Sequence, residues 1–338
     1  MGDPAVKILG TKTDKASQLS DIVSPIQSSI SEFRKFFRDS VSTDVYLLDK
    51  IIQYLLRQKG KEIRPTLVFM SARMFGDIDQ RSYVAATMIE LLHTATLIHD
   101  DVVDEADKRR GFLSVNKLWR NKAGVLLGDF LLSKGLLIAL DYKEYELLHV
   151  LSDAVNKMSE GELRQLKTSR LFNMTEERYY QIISEKTASL IAACCKCGAV
   201  STSGDEMVHN RMYDVGMKIG IAFQIKDDLF DYGLEDIGKP TRNDIKERKM
   251  TLPLIKALAK SKTTEQIYIR SLMMKRKKSP ADIEKIVSFV HDNDGMAESR
   301  KAMTHYAEEA LQELRQLPVN EGYREFEALV HYIITRKK

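Results

Sequence analysis

No proline occurs from residue 66 to residue 239, a run of 174 positions. Proline inside a helix removes a backbone donor and clashes with the preceding turn, so long helices require its absence. Apolar residues within the run recur at helical spacing, as in Leu147, Leu148, Leu151, Val155 and Met158. No alternating strand pattern competes with them. Gly and Pro together supply 24 of 338 residues, well below the roughly 12% of an average chain. That is too few turn formers for an all-β protein or a low-complexity one. The flanking prolines read as helix starts: Ser279-Pro280-Ala281-Asp282 offers an N-cap, a proline at the first helical position and an early acid. Length alone would suggest two domains, yet no linker, composition break or repeat divides the chain. The expectation is an all-α protein: a polar, flexible segment over 1–18, then one large helical domain over 19–338.

Charge and targeting signals exclude several classes. Lys plus Arg number 52 and Asp plus Glu 48, a net charge of +4, too mild for a nucleic-acid binder. The opening MGDPAVKILGTKTDK has no apolar signal core, and Val6 breaks a myristoylation pattern. The stretch from Gly124 to Leu140 is interrupted by Asp129 and Lys134, so it is not expected to span a membrane. A cytoplasmic protein is expected. Cys194, Cys195 and Cys197 lack a fourth ligand at zinc spacing and read as buried, reduced thiols. The run Lys275-Arg276-Lys277-Lys278 reads as a solvated loop, with a basic binding patch as the sharper alternative.

Two aspartate clusters carry the chemistry. His99-Asp100-Asp101-Val102-Val103-Asp104 and Lys226-Asp227-Asp228-Leu229-Phe230-Asp231 are both DDxxD, 127 residues apart. On a helix, Asp100 and Asp104 share a face, as do Asp227 and Asp231, and like charges so placed repel one another. One such cluster alone is more often a solvated helix face than a metal site. Two copies, each following an apolar run, point to paired acidic faces holding a hard cation such as Mg²⁺ through oxygen ligands. No EF-hand loop accounts for them. Bases surround the clusters: Lys61 and Arg64 in Gly60-Lys61-Glu62-Ile63-Arg64-Pro65, then Arg109 and Arg110, Lys186 beside Thr187, Lys239 and Lys249. Each alone is an ordinary surface cation. Their order around the two clusters suits a diphosphate.

These stretches, GKEIRP, LLHTATLIHDDVVDEADKRRG, GDFLLSKG, EKTASL, FQIKDDLFDYGLEDIGKPTRNDIKERKMTLP and HYIITRKK, resemble in order those of the all-trans polyprenyl (octaprenyl-type) diphosphate synthases, in the E-isoprenyl diphosphate synthase family. The resemblance implies the isoprenoid synthase fold, an all-α bundle around a deep central cavity, usually a homodimer. It also implies that Asp100, Asp104 and Asp227 bind Mg²⁺, with Asp101, Asp228 and Asp231 assisting. Lys61, Arg64, His93 and Arg110 would bind isopentenyl diphosphate. Arg109, Lys186, Thr187, Gln224, Lys239 and Lys249 would hold an allylic diphosphate such as farnesyl diphosphate. No nucleic-acid partner is implied, and membrane contact is expected at most transiently, at product release.

Product length follows from the same resemblance. The residue five before the first cluster, Ala95, would face the growing tail, where a bulky aromatic stops growth early. Leu91, Leu92 and Met88, one and two turns away, are aliphatic and able to move aside. The expectation is a product of about six to ten isoprene units (C30–C50), since a helical turn rises about 5.4 Å, comparable with one extended unit. The floor would come from another helix, with Leu148 or Leu151 as candidates. The alternatives are a geranylgeranyl diphosphate synthase and a subunit of a heteromeric synthase. A terpene cyclase fits less well, lacking the GKEIRP-type stretch and a second DDxxD.

Overall fold

The computed structural model describes residues 19–58, 60, 62–109, 111–171, 174–233 and 242–335. The segment 1–18, expected to be flexible, lies outside them, as do Lys61, Arg110 and Lys239. The described residues form sixteen α-helices: α1 (Leu19–Ile22), α2 (Gln27–Ser40), α3 (Tyr46–Arg57), α4 (Ile63–Arg73), α5 (Gln80–Val103), α6 (Val115–Asp141), α7 (Tyr145–Leu171), α8 (Glu176–Ile183), α9 (Ser189–Thr202), α10 (Glu206–Asp231), α11 (Asn243–Lys246), α12 (Leu252–Lys260), α13 (Thr263–Met274), α14 (Pro280–Asp292), α15 (Gly295–Leu314) and α16 (Glu321–Thr335). One short hairpin, β1 (Lys108–Arg109) against β2 (Phe112–Leu113), joins α5 to α6. The fold is all-α, as the proline-free run predicts.

Two helices form the centre. In α4 every residue from Pro65 to Ala72 is buried, and in α9 the run from Ser189 to Cys195 is as well. A helix apolar on all sides can only be stable inside others. The three cysteines are fully buried and unpaired, and burial pushes their thiols up, Cys195 to about 12. Glycines set how closely neighbours pack. A Cβ at Gly216 would lie 2.6 Å from the Ala192 Cα, and one at Gly220 would lie 2.5 Å from the Ala188 Cα. Only glycine lets α10 approach α9 and the residue just before it so closely. A second core gathers Tyr232, Ile245 and Met250 with α12, α13 and α14, and a third joins α8 and α10 to α12 and α15.

The start of α14 follows the cap chemistry read from sequence. Ser279 caps α14, accepting from the Asp282 N–H at 3.1 Å, with Pro280 first in the helix. Asp79 and Ser82 form a reciprocal cap on α5. Despite Asp129 and Lys134, the α6 helix is long and apolar enough to cross a membrane, with a mean hydropathy of 1.8 over its most apolar window. It packs instead along α5. A Cβ at Gly124 would meet Val102, and one at Gly128 would fall 2.1 Å from His99 Nε2. Its outer face remains bare: Leu126 is 60% exposed, and Leu136, Leu137 and Leu140 about half.

Candidate active site

Both aspartate clusters sit at helix C-termini, where the macrodipole disfavours negative charge. Asp100 and Asp101 end α5, with Asp104 at its C-cap, while Asp227, Asp228 and Asp231 end α10. Burial pushes the Asp100 carboxyl up, and Glu162 and Asp104 push it further against the pull of Lys186. Asp104 lies one turn on and is exposed.

Asp101 points elsewhere. It is 5% exposed and ion-paired to Arg109, whose Nη2 lies 2.6 Å from Oδ1. Two residues given separate roles by resemblance, a metal helper and a diphosphate ligand, therefore hold each other and tie the hairpin back to α5. Asn116 Nδ2 donates to the Asp101 carbonyl at 3.1 Å and secures the start of α6 to the same point.

The second cluster is divided in the same way. Asp228 is buried, accepting from the Tyr179 hydroxyl at 2.6 Å and from Gln224 Nε2 at 2.8 Å. Gln224 Oε1 in turn accepts from the Thr187 hydroxyl at 2.9 Å. Burial pushes Asp228 up to about 7, with nearby Asp244 and Asp227 adding to the rise. Asp231 accepts from the backbone N–H groups of Asn243 and Asp244, both at 3.0 Å, and so positions α11. Its carboxyl remains raised because burial outweighs those bonds. Burial and Asp231 likewise push Asp244 up to about 6, against the pull of Lys249.

Two lysines lie between the clusters. Lys186 is ion-paired to Glu162 and close enough to Asp100 to stabilise its charge. Lys249 is 2.7 Å from Glu247 and feels both Asp244 and Asp104, one from each acidic face. Lys186 and Thr187 belong to a π-helical turn, Ser184–Ala188, between α8 and α9. Such turns re-aim side chains and recur at functional sites. Gly161 on α7 admits it: a Cβ there would meet the Glu185 Cβ at 2.9 Å and the Lys186 nitrogen at 3.0 Å.

A cavity of about 150 Å³ opens here, lined by Lys186, Thr187, Gln224, Asp228, Asp244 and Lys249 on its polar side. Met174, Tyr179, Ile182 and Ile183 contribute apolar walls. Five sequence-predicted residues thus meet in one pocket. Arg64 stands in the first turn of α4 and His93 is buried on α5, apart from that lining. Ala95 is fully buried with Met88, Leu91 and Leu92 around the same helix, and it does not line this cavity.

The donors suit a hard cation shared with a substrate. They are carboxylate oxygens without sulfur or imidazole, and burial, with Glu162 and Asp104 nearby, raises the affinity of Asp100 for a proton. Among the described residues no three of them converge on one point. Mg²⁺ characteristically takes one or two carboxylates and completes its shell with phosphate oxygens and water. The arrangement fits that habit.

The sequence pattern of the polyprenyl synthetases matches residues 45–290. The chain belongs to the polyprenyl synthetase family. It is 32% identical over 302 residues to an octaprenyl diphosphate synthase of Escherichia coli (strain K12), covering 89% of this chain and 93% of that one. The structure of a decaprenyl diphosphate synthase from Rhodobacter capsulatus superposes with a TM-score of 0.89 at 30% identity, covering 94% and 99% of the two chains. A polyprenyl synthase from Caulobacter crescentus CB15, complexed with calcium and isoprenyl diphosphate, gives 0.88 at 29%, covering 96% and 100%. Geranylgeranyl pyrophosphate synthases also stand among the similar structures. In this polyprenyl synthetase, Asp244 and Tyr179 are site residues the sequence reading did not single out. Asp244 lies within the TRNDIKERK stretch quoted above, between the second cluster and Lys249. Nothing in sequence marks Tyr179, because its partner Asp228 is 49 positions away.

Proposed function

We propose that this chain is a magnesium-dependent prenyltransferase. It condenses isopentenyl diphosphate repeatedly onto an allylic diphosphate primer to give a long all-trans polyprenyl diphosphate of about C30–C50. One arrangement carries the reading: two carboxylate-bearing helix ends with Lys186 and Lys249 set between them. Asp100, Asp104 and Asp227 would hold the metal, which when bound supplies positive charge to the diphosphate oxygens. Lys186, Lys249 and Thr187 bind and orient the same diphosphate, so that charge building on it as the C–O bond breaks meets fixed donors. The allylic carbon is left electron-poor and alkylates the double bond of isopentenyl diphosphate. A proton then leaves the new carbon chain for the released diphosphate, restoring a double bond. The apolar walls around Ile182 and Ile183 keep water from the allylic carbon.

A homodimer is part of this reading, supported by the bare leucine face of α6. So is a cytoplasmic site of action, which suits three free cysteines. The closed packing around Ala95 favours a second reading, a geranylgeranyl diphosphate synthase. Incubating the purified chain with labelled isopentenyl diphosphate, farnesyl diphosphate and Mg²⁺ tests both. Chromatography of the dephosphorylated product should show six to ten units; a product of four units supports the second reading. No diphosphate release by this chain alone would mean that it acts only as a subunit of a heteromer.

A further inference from the structure

Outside the site, α13 pairs an apolar outer face with a basic end. Its inner face, Ile269, Leu272 and Met273, is buried in the second core. Its outer face carries Ile267, 65% exposed, and Met274, 53% exposed, seven residues apart and so on one side of the helix. Tyr268 beside them is 47% exposed. The helix ends into Lys275-Arg276-Lys277-Lys278, of which the first three are exposed. Lys285 of α14 joins the same surface, its ammonium 3.3 Å from the Tyr268 hydroxyl. Burial pushes the pKa of Lys278 down, and Arg248 lies close enough to lower it further. Asp282, held 2.7 Å from Lys275, supplies the nearest compensating charge.

We propose that the outer face of α13 and the basic loop after it form a docking surface for an anionic lipid bilayer. Two aliphatic side chains and a tyrosine would enter the headgroup boundary, with Arg276, Lys277, Lys278 and Lys285 against the lipid phosphates. Charge decides among occupants. A second copy would bring the same positive surface against itself, and a nucleic acid would leave three exposed apolar side chains without a partner. A bilayer satisfies both halves of the surface. The purpose rests on the long-chain reading above, since a product of six or more isoprene units leaves the enzyme for an apolar phase. Arg248 adjoins Lys249 of the cavity, so the docked surface and the diphosphate site share one lobe.

The test is co-sedimentation of the full chain, without substrates, with phosphatidylcholine vesicles containing roughly one-third phosphatidylglycerol, and with phosphatidylcholine alone. Binding to the mixed vesicles only, released by high salt, is expected. Arg276→Gln/Lys277→Gln should weaken partition about thirtyfold. Ile267→Ser/Met274→Ser should weaken it while leaving the salt dependence. Turnover with a soluble primer should be unchanged in both variants, showing that they fold. Equal binding to neutral vesicles, or parent-like binding by the charge variant, would overturn the proposal. So would binding to an RNA oligonucleotide with none to vesicles. Because no substrate is present, the result stands apart from the product-length assay.

Discussion

At the scale of single residues, the site stores electrostatic tension that a cation relieves. Asp100 and Asp227 sit at the negative ends of two helices among other carboxylates. Asp100→Ala or Asp227→Ala removes a like charge, so thermal stability should hold or rise by a few tenths of a kcal/mol. Turnover should fall by orders of magnitude, because the charge that holds the leaving diphosphate goes with the carboxylate. Near-parental activity in both variants would remove the metal assignment. The raised carboxyls make a pH prediction. Burial pushes Asp244 up to about 6 and Asp228 up to about 7 in the folded chain, well above an ordinary carboxylate. Between about pH 4 and pH 7 the folded, metal-free protein therefore binds more protons than the unfolded one, and its stability falls as pH rises through that window. Melting followed by circular dichroism in chelator should give a lower Tm at about pH 7.5 than at about pH 5. Asp228→Asn should flatten that slope, and a slope of opposite sign in the parent would contradict the burial argument.

At the scale of helices, close approach decides where Lys186 points. Gly220→Ala drives a Cβ into the backbone of Ala188, the last residue of the π-helical turn that leads into α9, which cannot yield without moving that helix. A loss of about 2–3 kcal/mol is expected in denaturant melts. Gly161→Ala presses on the middle of the same turn, at Glu185 and Lys186. It should cost about 1 kcal/mol yet shift Lys186 enough to weaken the allylic substrate, seen as a raised KM for that substrate with the isopentenyl KM unchanged. Equal stability losses with unaltered KM values would mean the turn is not held in place by that contact. This contrast shows what the sequence could and could not disclose. The helices, their capped starts and both DDxxD clusters were legible because they depend on local spacing. The π-helical turn was not, since it depends on a glycine 25 positions earlier in α7. Nor was the break in α6 at Arg120, where a non-glycine residue takes a φ of 70°. That each cluster holds one buried, paired carboxylate, Asp101 and Asp228, depends on Arg109 and Tyr179, partners that periodicity does not reveal.

At the scale of the whole molecule, the site lies where the helices around α4 and α9 meet the lobe of α11–α14, and product length depends on what lies behind α5. Ala95 has no exposed surface, and Leu91 packs near Gly135 of α6. A growing tail that passes Ala95 must therefore part Met88 and Leu92 as it goes, one helical turn of about 5.4 Å for each added unit. Ala95→Tyr distinguishes a yielding path from a solid core. If the path exists, the ring occupies it. The product should then shorten to three or four units, the first condensation should keep its rate, and stability should fall by no more than about 1 kcal/mol. If Ala95 is packed into core on all sides, the ring has nowhere to go, and a loss of about 3 kcal/mol or more is expected with no shortening. Product chromatography and thermal melting of the one variant read these outcomes separately. A parent enzyme that already stops at four units would end the long-chain argument before the substitution is made. Shortening without destabilisation would place the tail beside Ala95, with its floor on a facing helix such as α7, where Leu151 is buried and Leu148 partly so.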